Sequence, residues 1–233
     1  MTTEAAARFA RLRLLAGIGR HPSAILLLAQ LAALLAYPYV EGTAAGAAWF
    51  GAFGVVVLLL AMRMVHRTAG RTRLAVAVAL AVPAVASNLV AVLGGQAWLA
   101  PWSAALEALF YFHAAACLVA YMLADRRATS DELFAAGATF TLLAWAFAYV
   151  FVACQLLQPG SFVAAVNPAA PRSWTELLYL SFVLLSSTGI GDVMPLRPLA
   201  RALASLEIFV GVMYLALVVS RLVGLTMVAR TER

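Results

Sequence analysis

The sequence predicts an all-α protein that crosses a membrane several times. Its 233 residues are 65% hydrophobic and only 11% charged, and its mean hydropathy is +0.95. A water-soluble domain of this length would need far more polar surface. The hydrophobic residues also form runs of roughly twenty, the length of a helix that crosses a bilayer. Composition and spacing therefore both indicate a polytopic membrane protein.

The basic residues indicate membrane topology. All sixteen are Arg. A pI near 9.9 would suit a nucleic-acid partner. However, the arginines cluster between apolar runs, where basic residues set the orientation of the helices in the membrane. This topology places Arg172, Arg197 and Arg201 outside and the other arginines inside, so both termini are predicted to lie in the cytoplasm. The membrane is predicted to be the cell inner membrane. We predict no nucleic-acid partner and no soluble ligand domain. Cys117 and Cys154 lie in apolar runs without metal-ligand spacing, so we interpret them as core residues.

The first half of the chain predicts a peripheral membrane domain. Residues 1–21 carry four arginines in an amphipathic pattern that suits the cytoplasmic headgroup layer. Within residues 22–127, four spans are predicted, over about 22–40, 47–65, 74–93 and 101–123. The fourth span has no Arg or Lys, whereas a voltage sensor needs several arginines. The sequence therefore predicts a protein that is not strongly gated by voltage.

The second half, residues 128–228, predicts a pore module with a different layout. An outer helix is expected over 132–157 and an inner helix over 198–228, which leaves 229–233 as a short cytoplasmic tail. The apolar run at 173–186 is too short to cross a bilayer, so we expect it to enter and leave on one side. Ser173 and Glu176 can form the capping box at its start. Six full spans and one re-entrant helix result.

Directly after this short helix the sequence reads Ser187, Thr188, Gly189, Ile190, Gly191 and Asp192. Two glycines at alternate positions allow backbone dihedrals that other residues avoid, so successive carbonyls can point the same way. In a water-filled pore, such a ladder of oxygens can replace the hydration shell of a monovalent cation. The segment 187–192 is therefore a candidate selectivity filter.

This segment resembles the T-V-G-Y-G-D pore loop of the potassium-channel superfamily. Both glycines and the aspartate are kept, Ser187 and Thr188 replace Thr and Val, and Ile190 replaces the Tyr. The resemblance covers about residues 133–228. It implies a homotetramer in the lipid bilayer, with potassium as the permeant ion and no other cofactor. It also implies that ions bind only at the backbone carbonyls of the filter, which are those of Ser187, Thr188, Gly189, Ile190 and Gly191.

The resemblance further implies a set of residues that support the filter. Two family positions that brace the filter correspond to Tyr179 and Leu180. Tyr179 is expected to donate a hydrogen bond to Asp192, while Leu180 and Ile190 would form an apolar pair in place of a polar one. This brace is less directional, which favours weak selectivity as an alternative. Ser186 is a further supporting candidate.

The inner helix adds a candidate hinge and a candidate cavity lining. Gly211 follows Gly191 by twenty residues, where the family often has a hinge glycine, and close helix packing is the alternative. Val212, Leu215 and Val219 recur at the helical period, so we expect them to face a central cavity.

Three ionisable residues within predicted spans have open interpretations. Glu207 could tune ion occupancy, sense pH, or anchor the inner helix by bonding Ser181 or Ser186, because a carboxylate in lipid is costly. Glu107 and His113 share the fourth span and could form a proton-sensitive switch. Alternatively, Glu107 lies near the outer interface and His113 satisfies a helix contact.

The sequence as a whole predicts a passive cation channel that conducts potassium. A weakly selective monovalent cation channel is one alternative, and a non-conducting membrane sensor or scaffold with a degenerate pore is another. The glycine segment could also be a helix-breaking loop of a transporter, where unwound backbone lines ion sites. An enzyme is not predicted, because no catalytic pair of His, Cys, Ser or carboxylates converges in a loop.

Overall fold

The structure is a computed structural model. It describes residues 21–36, 44–68, 70–124 and 130–231. The predicted amphipathic segment therefore lies outside the described residues except for its last residue, as do the end of the first predicted span and the last two residues of the predicted tail.

Within the described residues the chain forms seven α-helices. They are α1 (Pro22–Ala36), α2 (Ala44–Thr68), α3 (Arg71–Leu93), α4 (Ala100–Ala124), α5 (Ser130–Leu157), α6 (Trp174–Leu185) and α7 (Pro198–Thr231). Of the described helices, α3, α4, α5 and α7 are long and apolar enough to cross a membrane. Spanning by α1 and α2 stays a prediction.

Two short strands depart from the all-α prediction. The strands β1 (Phe162–Ala164) and β2 (Val193–Pro195) pair antiparallel, with Val163 opposite Met194. The ribbon is extended by a backbone bond from Leu196 N to Ser161 O, at 2.8 Å. Each strand has only three residues, which is too short for a periodic pattern, so the sequence alone did not reveal them.

Helix α5 is the element around which the others pack. Its residues 141–148 are all buried, and it contacts α4 along most of its length and also α1, α6 and α7. The ring of Tyr111 in α4 packs edge-on against Trp145, with 5.7 Å between centroids. Thr141 donates a 2.6 Å hydrogen bond to Gln30 of α1. Helix α5 therefore joins α1 and α4 to the elements that follow it.

Helices α6 and α7 run in the same direction where they touch. Ser181 contacts Glu207, and four residues further along both helices the backbone of Leu185 abuts Gly211. With 12 residues and about 1.5 Å of rise per residue, α6 spans only about 18 Å. A bilayer core is about 30 Å thick. The chain must therefore reverse between α6 and α7, and residues 186–197 make that reversal.

One stripe of α7 faces the rest of the chain. Its described buried positions are Ala200, Ala204, Glu207, Gly211 and Tyr214. The Tyr214 hydroxyl donates a 2.6 Å bond to the Ala136 carbonyl of α5, and Arg221 forms a 3.2 Å ion pair with Glu132 of α5. The other sides of α7 carry exposed apolar residues such as Phe209. Lipid or another chain must cover those sides in a membrane.

The Glu132–Arg221 ion pair predicts a measurable stability loss. Both side chains are largely buried, so Glu132→Gln removes the anion of this ion pair and should lower the free energy of unfolding by about 3 kcal/mol. The exchange Glu132→Arg with Arg221→Glu should recover part of that loss. Thermal unfolding of the detergent-purified protein, followed by tryptophan fluorescence, measures both. Full stability in the single variant would show that the pair contributes nothing.

Candidate functional site

The start of α6 is fixed by the capping box that the sequence predicts. The Ser173 hydroxyl accepts from the Glu176 backbone N–H at 3.3 Å, and the Glu176 carboxylate accepts from the Ser173 N–H at 2.7 Å. The carboxylate also suits the positive end of the helix dipole. The prediction of a capped helix start at this position is confirmed.

The end of α6 is a Schellman motif built on a serine. The N–H of Ser187 bonds the Leu184 carbonyl and the N–H of Thr188 bonds the Val183 carbonyl, each at 2.9 Å. Ser187 has a φ of 57°, a left-handed conformation that usually belongs to glycine at this position. The motif stops the helix at Leu185 and directs the chain into residues 186–192, which we call the glycine loop.

Left-handed residues alternate with ordinary ones along the glycine loop. Ser187, Gly189 and Gly191 have φ values of 57°, 64° and 80°, whereas Thr188 and Ile190 do not have positive φ. A backbone with this alternation can present successive carbonyls on one side, as the spacing of the two glycines predicted. All seven residues of the loop are exposed in the single chain. The chain itself therefore leaves the loop uncovered.

Side-chain hydroxyls secure the first residues of the glycine loop. Ser186 donates a 2.7 Å bond to the Phe182 carbonyl of α6, and its oxygen lies 2.7 Å from the Thr188 hydroxyl. Among the described residues, the Ser187 hydroxyl makes no hydrogen bond. Ser186 thus links the loop to α6, as a supporting residue would, while the Ser187 hydroxyl remains available to a ligand.

A backbone bond next to β1 holds the last residue of the glycine loop, and a buried arginine orders the segment between β1 and α6. The Asp192 carbonyl accepts a 3.3 Å bond from Ala165, next to the pairing of β1 with β2. The Arg172 guanidinium is buried and donates to the carbonyls of Asn167 and Ala170, each at 2.5 Å. It also forms a 3.1 Å ion pair with Glu176. Arg172 therefore folds the segment before α6 against the helix start.

From the sequence alone, we interpret Arg172 only as a positive charge on the outer side of the membrane. A signal was present, because Arg172 precedes Glu176 by four residues, the spacing of an ion pair on a helix. The loop before it is also rich in Pro, Ala and Gly, whose side chains cannot satisfy backbone carbonyls.

The predicted supporting pairs are not formed within one chain. Tyr179 and Asp192 line the same open cleft, but no hydrogen bond joins them. Leu180 is buried in a cluster with Phe151 and Val193 of its own chain, whereas Ile190 is 61% exposed. The contact between Leu180 and Ile190 is therefore absent from the single chain, because Leu180 packs towards the strand side of α6.

Gly211 lies where α7 crosses the end of α6. A Cβ atom at Gly211 would lie 2.1 Å from the carbonyl oxygen of Leu185, so only glycine allows this approach. The helix continues without a break through Gly211. The geometry therefore fits the close-packing alternative, and hinge motion at this residue stays a prediction. Val212, Leu215 and Val219, the predicted cavity lining, lie on the exposed part of α7.

Glu207 is fully buried between α6 and α7. Its Oε1 is bonded by the Ser181 hydroxyl, while its Oε2 has no hydrogen-bond partner. Among the sequence alternatives, this geometry matches an anchor through Ser181. Ser186 does not take part, since its hydroxyl bonds within α6 and the glycine loop.

Glu107 and His113 do not contact each other. Glu107 is buried in the peripheral domain, where it accepts a 3.2 Å bond from Asn88 of α3 and a bond from Tyr149 of α5. His113 lies 2.9 Å from the Arg73 carbonyl. The two residues therefore make separate helix contacts, and a switch formed by the pair stays a prediction. That Glu107 lies near the outer interface of the membrane stays a prediction.

Comparison with known proteins shows a family match in the second half of the chain. Residues 137–227 match the family model described as "Ion channel", a stretch that includes most of α5, all of α6 and the glycine loop, and most of α7. No curated protein and no solved structure matches the chain. The match coincides with the part of the chain for which the sequence resemblance was drawn.

The close contact at Gly211 predicts opposite effects for two glycine replacements. Gly211→Ala forces α7 away from Leu185, and overpacking of this kind costs about 1–3 kcal/mol. Gly54→Ala is the matched control, because a Cβ there meets nothing within 4 Å and alanine favours a helix by up to about 1 kcal/mol. Chemical denaturation of both variants measures the change in the free energy of unfolding, which should be negative for Gly211→Ala and positive for Gly54→Ala. An equal effect of the two replacements would contradict the packing role.

Proposed function

We propose that the chain forms a homotetrameric, passive potassium channel of the cell inner membrane. The premise is the match of residues 137–227 to the ion-channel family, of the pore-loop and potassium-channel-like type. The observation that carries this proposal is the backbone of the glycine loop. Its left-handed residues fall at 187, 189 and 191, at the carboxyl end of a helix too short to cross a bilayer. This is the backbone pattern that a ladder of carbonyls requires.

The orientation of the surrounding helices supports the same proposal. Helix α6 runs parallel to α7, so its carboxyl end and the partial negative charge there are directed towards the membrane interior. The glycine loop then returns towards the side where α7 begins. An ion in the loop would be attracted by the carboxyl end of α6 and would meet the unbonded hydroxyl of Ser187 at the inner end.

The exposure of the loop supports assembly around an axis. One chain supplies one glycine loop, and every residue of that loop is uncovered in the single chain. Several copies are needed to surround an ion, and the resemblance to the family favours four. In this arrangement the carbonyls of Ser187, Thr188, Gly189 and Ile190 line the path. Gly191 closes the outer end of the path, and Val212, Leu215 and Val219 face the cavity below it.

The sequence of α4 supports a channel that does not respond strongly to voltage. The helix Ala100–Ala124 contains no Arg, whereas charge movement across the membrane is what couples voltage to opening. Glu107 is the acidic residue of this helix, and it is bonded to Asn88. Opening is then governed by some influence other than a charged fourth helix.

Ion flux into liposomes tests the conduction proposal. Gly189→Ala should abolish potassium flux, because alanine disfavours the φ of 64° that the loop needs at this position. Gly160→Ala is the matched control: Gly160 has a φ of 78°, and a Cβ there also meets nothing within 4 Å, but it lies outside the glycine loop. The control should keep its flux. Equal flux in the two variants, or none in the unaltered protein, would refute the proposal.

A weakly selective monovalent cation channel is the second candidate. The exposed Ile190 and the buried Leu180 favour it, because neither side chain braces the loop in the single chain and a loosely held ladder discriminates less between ions. Bi-ionic reversal potentials separate the two candidates. A potassium channel gives a reversal potential close to that of potassium, whereas equal permeability to sodium would establish the second candidate. Ile190→Val, which keeps an apolar side chain, should leave either result unchanged.

A further inference from the structure

The hydroxyl of Ser181 lies between two oxygen atoms that both accept hydrogen bonds. It contacts Oε1 of Glu207 in α7, and it lies 2.8 Å from the carbonyl oxygen of Ala144 in α5. Ser181 is fully buried, so water does not serve it. A serine hydroxyl has a single hydrogen to donate. One of the two contacts therefore needs a hydrogen that Ser181 cannot supply.

A carbonyl oxygen carries no hydrogen, so only the carboxyl group can supply it. We propose that Glu207 is held as a neutral carboxylic acid that donates from Oε1 to the Ser181 hydroxyl, which in turn donates to the Ala144 carbonyl. The chain of hydrogen bonds then runs through three helices, from α7 to α6 to α5. In this arrangement every hydrogen of the chain has an acceptor, and each of the two contacts of Ser181 is a hydrogen bond.

The surroundings of Glu207 support the neutral form. Its Oε2 is buried without a hydrogen-bond partner, which a carbonyl oxygen tolerates far better than an ionised carboxylate does. No described cation faces it. Arg201 donates to the Pro195 carbonyl, while Arg172 and Arg221 form ion pairs with other carboxylates. An ionised Glu207 would be a buried charge without compensation in the part of the chain whose side chains are described.

The inferred role of Glu207 is to position the helix that carries the glycine loop. Ser181 lies four residues before Leu185, and Glu207 lies four residues before Gly211, so the hydrogen-bonded contact and the close glycine contact are one helical turn apart. Together they fix both the rotation of α6 and the depth at which it ends. The carboxyl group acts here as a hydrogen-bond donor, and its charge plays no part.

Two substitutions distinguish a role of Glu207 as a hydrogen-bond donor from a role of its negative charge. In Glu207→Gln the amide nitrogen can donate to Ser181 as the acid does, and no charge can form. In Glu207→Ala the chain of hydrogen bonds is lost. We expect the Gln variant to keep the thermal midpoint and potassium flux of the unaltered protein, and the Ala variant to lose several degrees of thermal midpoint and most of its flux. A Gln variant as impaired as the Ala variant would overturn the proposal.

Infrared spectroscopy of the purified, membrane-reconstituted protein at neutral pH gives a readout that does not depend on conduction. The carbonyl-stretch band of protonated carboxylic acids should be weaker in Glu207→Gln than in the unaltered protein. The matched control is Glu176→Gln, which removes an ion-paired carboxylate and should leave that band unchanged. Two identical spectra for the unaltered protein and Glu207→Gln would overturn the neutral form. The flux arm rests on the proposed channel function, but the infrared and thermal arms stand if that function fails.

Discussion

The contact between α6 and α7 is the constraint on which the position of the glycine loop depends. With 12 residues, helix α6 is too short to span a bilayer core on its own, so its position depends on its neighbours. Gly211 permits α7 to touch the carbonyl of Leu185, and Ser181 joins both flanking helices one turn earlier. Because the Schellman motif begins directly after Leu185, this contact also fixes the point at which the glycine loop starts.

Features with a local signal were predictable from the sequence, and features that depend on distant residues were not. The helix bounds follow from apolar runs, and the capping box of Ser173 and Glu176 lies within four residues. The backbone form of the glycine loop follows from glycine alone. In contrast, β1 and β2 lie about thirty residues apart, so no local pattern indicates that they pair. The sequence also does not indicate which backbone carbonyls Arg172 binds, because that depends on the fold of the segment before α6.

The candidate site was predictable in its residues but not in all of its contacts. Glu207 and Gly211 were each left with two or more roles, and packing against Ser181 and Leu185 distinguishes those roles. Glu107 and His113 are six residues apart, which places them about 120° apart around a helix, so they face different neighbours. The Tyr179–Asp192 and Leu180–Ile190 pairs come from the family resemblance, and nothing in the packing of the single chain brings either pair together.

The serine that follows α6, Ser187, has a conformational cost that glycine would not have. A glycine in place of Ser187 would adopt the left-handed backbone freely, whereas a residue with a side chain is disfavoured there by roughly 1 kcal/mol. The side chain adds one oxygen atom, and that oxygen makes no bond with any described residue of the chain. The protein thus accepts a conformational penalty at Ser187 and gains an exposed hydroxyl at the start of the glycine loop.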